Sequence, residues 1–223
     1  MVNVPWRQSS GRPPRALTRA ALTRAASQLA AADPDLAHVL DRLGEPPLWA
    51  RRPGFPALIR IILEQQVSLS SGRRAYQRLY SRLGGMTPEA IHAMEVKGLR
   101  ECGLTRQKAG YCCGLAARIL DGTLDLSAVA RSPDDQGRRA LLSVPGLGPW
   151  SVDVYYVTAL RRPDIWPQGD LSLAVALREV KGLPGLPTKE QQQSLTAAWS
   201  PWRSVAARIL WAHYLEGRGR YAP

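Results

Sequence analysis

One phenylalanine, three histidines, three cysteines and four lysines are all that the 223 residues hold of these types. Each scarcity excludes a class of protein. Three cysteines, two of them adjacent (Cys112 and Cys113), are too few for a disulfide framework or a four-thiolate metal site. A reduced, cytoplasmic compartment is therefore expected. The histidines are scattered at His38, His92 and His213, which argues against a histidine-rich metal centre. No apolar run approaches the length that a transmembrane helix needs, and residues 1–19 contain nothing like the apolar core of a signal peptide. Alternation of apolar and polar residues at period two is missing, so no strand is expected.

What the chain has in quantity is arginine, 26 of the 30 basic residues against 18 acids, for a net charge of +12. A balance this basic points to a polyanionic partner, nucleic acid or an anionic membrane surface. The apolar fraction of 45% is that of a globular protein. The length suits one large domain or two small interleaved ones.

Residues 1–14 are polar, proline-bearing and basic, and read as a flexible arm. The pentapeptide Ala-Leu-Thr-Arg-Ala then occurs twice, at 16–20 and 21–25, as one alanine-rich helix. Residues 1–30, with five arginines and no acid, are expected to be a solvated helical face plus a loose tail, with DNA contact as the alternative. Residues 31–223 form the main domain. Helix starts are signalled at Asp33-Pro34, Ser68, Thr87-Pro88, Thr105, Ser132-Pro133 and Pro149, and Thr188 with Gln191 has the capping-box spacing. Leu58, Ile61, Ile62 and Gln65 share one side of a helix after Pro56, Gly84-Gly85 ends the Ser68 helix, and 205–215 reads as a last amphipathic run. The fold class is all-α, with about ten helices joined by short loops.

The segment Leu141-Leu-Ser-Val-Pro-Gly-Leu-Gly-Pro-Trp-Ser-Val-Asp-Val-Tyr155 carries the most information. A helix ends at Pro145-Gly146-Leu147-Gly148 and a second begins at Pro149. The glycines permit a tight turn and close approach of a ligand to the backbone. The N–H groups of the turn and of the new helix favour an anion, for which a phosphodiester is the natural choice. A plain αα-hairpin explains the spacing equally well. Asp170 follows Gly169 and precedes the apolar run 171–177, the position of an N-cap. A carboxylate there could also stabilise a positive sugar or activate water, because one oxygen can cap while the other faces a pocket. Trp150, Trp166, Trp202 and Trp211 cluster in the last third, as core or as a stacking platform for a base outside the duplex. The polar loop Gln65-Gln66-Val67-Ser68 either fills a gap in DNA or simply turns the chain.

Read together, Ile62-Leu-Glu-Gln-Gln-Val-Ser68, Gly103-Leu-Thr-Arg-Gln-Lys-Ala109, Val144-Pro-Gly-Leu-Gly-Pro-Trp-Ser151, Pro167-Gln-Gly-Asp170 and Pro201-Trp-Arg-Ser204 resemble, in order, the HhH-GPD DNA glycosylases. Within them the likeness is to the 3-methyladenine DNA glycosylase II (AlkA-type) branch, over about residues 35–216. The resemblance implies two helical subdomains, a helix-hairpin-helix at 141–155 and an active site in the cleft between the subdomains. It implies the compact form, without an additional β-rich N-terminal domain. By matched position, Asp170 is the catalytic aspartate, and Trp150, Val154 and Trp211 line the base pocket, with Val154 standing where an aromatic can occur. Gly146, Gly148 and Ser151 form the phosphate-binding hairpin, with Leu147 among its DNA-binding residues, and Gln65 and Gln66 form the DNA-facing loop, Gln66 filling the gap left by the flipped nucleotide.

The carbonyls of Leu142, Val144 and Leu147 match a place where such hairpins hold a monovalent cation, Na+ or K+. Trp150 stands where bifunctional relatives carry a lysine, so no Schiff base forms there. No cysteine follows Cys113, so no iron–sulfur cluster is expected. The implied activity is a monofunctional glycosylase releasing alkylated bases (the 3-methyladenine and 7-methylguanine class) from double-stranded DNA. It would work as a monomer in the cytoplasm, nucleoid-associated in a bacterium, without membrane contact. Two alternatives stand beside it. One is a non-catalytic helix-hairpin-helix protein that binds damaged DNA. The other is a bifunctional lyase using another amine such as Lys108, a residue expected on a solvated helix face.

Overall fold

The computed structural model describes residues 15–219, so the expected arm at 1–14 lies outside the described residues. Among them there are twelve α-helices and no strand, as the missing period-two alternation predicts. They divide into two compact units. One is Arg51–Tyr155; the other joins Arg15–Ala50 to residues from 156 onward. No described helix is long and apolar enough to cross a membrane.

The first unit holds α3 (Phe55–Glu64), α4 (Leu69–Leu83), α5 (Pro88–Glu101), α6 (Arg106–Leu120), α7 (Leu126–Arg131), α8 (Asp134–Leu142) and the start of α9 (Pro149–Thr158). Local chemistry sets most boundaries. Ser68, Thr87 and Thr105 each accept a bond from the backbone N–H three residues on, and Gly84 ends α4 in the left-handed conformation. Ser132 departs from expectation. It ends the short α7, whose own cap is Asp125, and α8 starts at Asp134 without a side-chain cap bond. Six residues are too short to show a period, which is why α7 escaped the sequence pattern. α3 is buried along almost its whole length, and α6 packs against both α3 and α5.

The second unit holds α1 (Arg19–Ala32), α2 (Pro34–Leu43), α10 (Leu171–Val180), α11 (Lys189–Ala197) and α12 (Arg203–Glu216). Residues 15–30, grouped above with the arm, are integral to this unit. Leu17, Leu22, Ala25, Ala26 and Leu29 are buried in its core, and the Leu17 N–H donates to the Arg161 carbonyl at 2.7 Å. Their arginines, Arg15, Arg19 and Arg24, are exposed, so one short segment supplies both core and charged surface.

Asp33 separates α1 from α2 and caps the second, accepting from the N–H groups of Asp35 and Leu36. It also accepts from Lys181 Nζ and, at 2.7 Å, from Trp199 Nε1. Burial opposes its charge, but these hydrogen bonds outweigh that and hold its carboxyl below the usual value. α12 is not the amphipathic run expected, because residues 204–210 are all buried. Arg208 sits among them at 0% exposure, donating to the carbonyls of Leu48, Ser204 and Val157 at 3.0, 2.9 and 2.7 Å. Burial, with a smaller contribution from the Arg161 charge, lowers its pKa to about 10, so it stays charged at neutral pH. Three carbonyl dipoles, rather than a carboxylate, compensate a buried charge here.

Candidate functional site

The hairpin is built by residues the sequence left unconnected. Gly146 turns the chain at φ +92°, and a Cβ on it would lie 2.3 Å from the Tyr111 ring of α6. Both conformation and space therefore require glycine. Gly148 differs: its φ is not positive and a Cβ there would meet nothing within 4 Å, so no steric demand of the fold selects glycine. Leu147, expected among the DNA-binding residues, is 2% exposed, and its N–H is spent on the Val144 carbonyl at 3.0 Å. It is the apolar pin of the turn. The N–H groups of Gly146, Gly148 and Ser151 make no bond among the described residues. They are left at the N-terminus of α9, whose first turn carries no acid. Arg138 of α8 pairs with the buried Asp153 of α9, tying the two helices behind the turn.

Gln65 and Gln66, grouped together by sequence, do different things. The Gln65 amide donates to the Gly146 carbonyl and to Ser151 Oγ, both at 2.8 Å, so it braces the hairpin from the end of α3. That also accounts for the Ser151 hydroxyl, which faces inward. Gln66 is exposed, with φ +55°, a conformation few non-glycine residues adopt. Such strain persists only where surrounding contacts enforce it.

The enforcing contact is Lys108. Its Nζ donates to the carbonyls of Leu63 and Gln65 at 2.7 and 2.9 Å, closing the end of α3 immediately before Gln66. The expectation of a solvated lysine is corrected: burial pushes its pKa down, and its protons are engaged by backbone oxygens. The spacing of α6 gave no means of seeing this, because the partners lie more than forty residues away. Beside it, Cys112 is buried, which with the neighbouring Cys113 pushes its thiol up to about 12 and leaves it inert.

Trp150 and Val154 stand one turn apart on α9, Trp150 half-buried and Val154 buried. In the second unit, Asp170 is 7% exposed and caps α10, its Oδ1 accepting from the Leu173 N–H at 3.0 Å and from the Ser172 hydroxyl. Gly169, at φ +79°, lets the chain turn into that cap. Trp211 of α12 is half-buried and meets Trp49 edge to face, with centroids 6.4 Å apart. Trp49 was not singled out by sequence. Its only signal is its backbone, at φ +43°, which no composition reveals. Trp166 packs on Trp199 inside the core and also bonds Gln192, so of the two readings of Trp166 the core one holds. No group of three or more His, Cys, Asp or Glu residues suited to a metal ion occurs among the described residues.

Residues 59–203 match the family described as "HhH-GPD superfamily base excision DNA repair protein". Over 196 residues the chain is 27% identical to the putative DNA-3-methyladenine glycosylase YfjP of Bacillus subtilis, a match covering 79% of this chain and 68% of the relative. It is likewise 27% identical over 165 residues to DNA-3-methyladenine glycosylase 1 of Schizosaccharomyces pombe, 72% of each chain. The fold is that of the solved S. pombe 3-methyladenine DNA glycosylase Mag1 in complex with abasic DNA, with a TM-score of 0.73 and 23% identity over 90% of this chain and all of that one.

Proposed function

The chain belongs to the HhH-GPD superfamily of base excision DNA repair proteins, and on that premise we propose that it is a monofunctional DNA glycosylase of the 3-methyladenine class. It flips alkylated bases out of duplex DNA and hydrolyses the N-glycosidic bond, leaving an abasic site in an intact strand. The observation that carries this reading is the presence, within the matched segment, of two complementary helix starts. Uncommitted N–H groups open α9, and a buried carboxylate opens α10.

The chemistry follows from charge. A purine methylated at N3 or N7 is a cation, and it leaves as a neutral base when the bond to C1′ breaks. The sugar is left electron-poor and positive, and the Asp170 carboxylate stabilises that charge as it develops. Water then adds to C1′ and releases its proton, with Asp170 orienting it. Trp150 and Trp211 each have an electron-rich face suited to a cationic base, and Val154 is aliphatic where an aromatic can occur.

The N–H groups of Gly146, Gly148 and Ser151 hold a phosphate of the damaged strand, while Gln66 fills the space the base vacates. The Leu142 and Leu147 carbonyls accept no bond among the described residues, and the Val144 carbonyl keeps a lone pair beyond its bond to Leu147. These three oxygens suit Na+ or K+ at the hairpin, where the ion would add positive charge next to the bound phosphate. No iron–sulfur cluster takes part in this reading. Lys108, held by two carbonyls, is not poised to attack a sugar, which supports hydrolysis without strand cleavage. The enzyme acts as a monomer, in the cytoplasm and at the nucleoid of a bacterial cell.

The test is release of free bases from methylated duplex DNA, with strand integrity followed in the same reaction. Methylpurine release without nicking is expected, and borohydride should trap no protein–DNA adduct. Binding without release at saturating protein would return the chain to the damage-binding alternative.

A further inference from the structure

The hairpin accounts for little of the positive charge of the first unit. Between Pro46 and Pro88 the chain carries seven arginines and one carboxylate, Glu64. That carboxylate is 6% exposed and already neutralised by Arg51 and Arg60, at 2.8 and 2.9 Å. The arginines of α4 have no such partner among the described residues. Gly72 and Leu79 are buried and define the inward side of this helix. Its outward side presents Arg73, Arg74, Gln77, Arg78, Tyr80, Ser81 and Arg82, all exposed and none acidic. None of these four arginines makes an ion pair among the described residues; Arg74 only reaches Ser71 Oγ at 3.3 Å. Arg78 and Arg82 edge a shallow groove that Glu101 also borders, and neither pairs with it.

Arg74, Arg78 and Arg82 follow one another at intervals of four. On a helix, that spacing stacks them on one face about 6 Å apart along the axis. Like charges so placed repel, and an isolated helix is weakened by them. With no acid on the outward face of α4 itself to offset the repulsion, an external chain of anions laid along that face relieves it. Beside the stripe, Tyr80 is 49% exposed and stacks on Tyr76, with centroids 6.3 Å apart, so a phenol stands ready to hydrogen-bond the same anions. α4 also starts from the loop that Gln65 and Lys108 fasten to the hairpin and to α3. The stripe is thereby anchored to the element that carries the uncommitted N–H groups.

We infer that the outward face of α4 is a second phosphate-binding surface, taking the sugar–phosphate backbone of duplex DNA beyond the nucleotide being processed. The identification of the polyanion as DNA rests on the glycosylase reading above. The surface itself rests on the charge pattern of α4.

The experiment compares the wild type with R74Q/R78Q/R82Q, and with R19Q/R24Q/R131Q as a control that removes the same charge from exposed positions on α1 and α7. Affinity for a long undamaged duplex is measured against salt concentration. Three lost phosphate contacts should flatten the slope of log K against log salt by about 2.7 and weaken binding about 10²-fold at 0.15 M salt. The control should change the slope by less than one contact's worth, about 0.9. At saturating enzyme and low salt, base release by the α4 variant should equal that of the wild type. Equal slopes for wild type and α4 variant, or equal losses in the variant and its control, would overturn the proposal. If the wild type releases no base yet the α4 variant alone loses slope, the glycosylase reading fails and the surface stands.

Discussion

Where α9 begins, Gly148 has no side chain to cap the helix, and the N–H groups of Gly148 and Ser151 make no bond among the described residues. Where α10 begins, Asp170 answers the same need from within, its Oδ1 taking the Leu173 N–H and the Ser172 hydroxyl. Both sites carry the positive end of a helix dipole. One is left for an anion that arrives; the other holds a resident anion, able to meet a cation that forms. A helix N-terminus is thus not a function in itself. Whether it carries a resident carboxylate decides which charge it serves.

The sharpest way to break that contrast is Asp170→Asn. Asparagine caps about as well as aspartate, so the melting temperature should barely move. The rate of base release should fall by at least about 10²-fold, as when a strong electrostatic stabiliser is lost. Near-normal turnover would remove Asp170 from the chemistry. The mirror experiment, Gly148→Asp, gives α9 a carboxylate of its own. The backbone there accepts a side chain, so stability should hold or rise by a few tenths of a kcal/mol. DNA affinity should drop by about tenfold or more, because the new charge occupies the place of the phosphate; unchanged affinity would mean that the hairpin does not meet the backbone.

Smaller effects test the supports. Gly146→Ala meets both the Tyr111 ring and an unfavourable φ, and should destabilise the protein by about 1–3 kcal/mol in a denaturant titration. Lys108→Met removes two hydrogen bonds from the end of α3 at a cost of about 1–3 kcal/mol. It should also relax Gln66, so base flipping, followed by a fluorescent base analogue, should weaken more than binding does. Lys108→Arg, which keeps donors within reach of both carbonyls, should recover part of that loss.

The helical class, most boundaries and the caps at Asp33, Ser68, Thr105, Asp170 and Thr188 were legible because they depend on residues within four positions of one another. The motif order also pointed to the family. What escaped depended on distance along the chain. Adjacency pairs Gln65 with Gln66 as a DNA contact, whereas its amide faces a carbonyl 81 residues away. Lys108 looks solvated from its own helix alone, because its partners lie at the end of another one. The arginines of residues 15–30 suggested an arm, while the leucines among them complete a core contributed largely by α10 and α12.

The sequence by itself determined most of the elements, the basic balance and the positions of Gly146 and Asp170, since propensity, capping and charge are local quantities. Only the tertiary structure decided which glycine is sterically required, which glutamine braces and which is exposed, and which lysine is unavailable. Those outcomes are set by packing and by backbone oxygens brought near from elsewhere in the chain, and neither has a spacing to read.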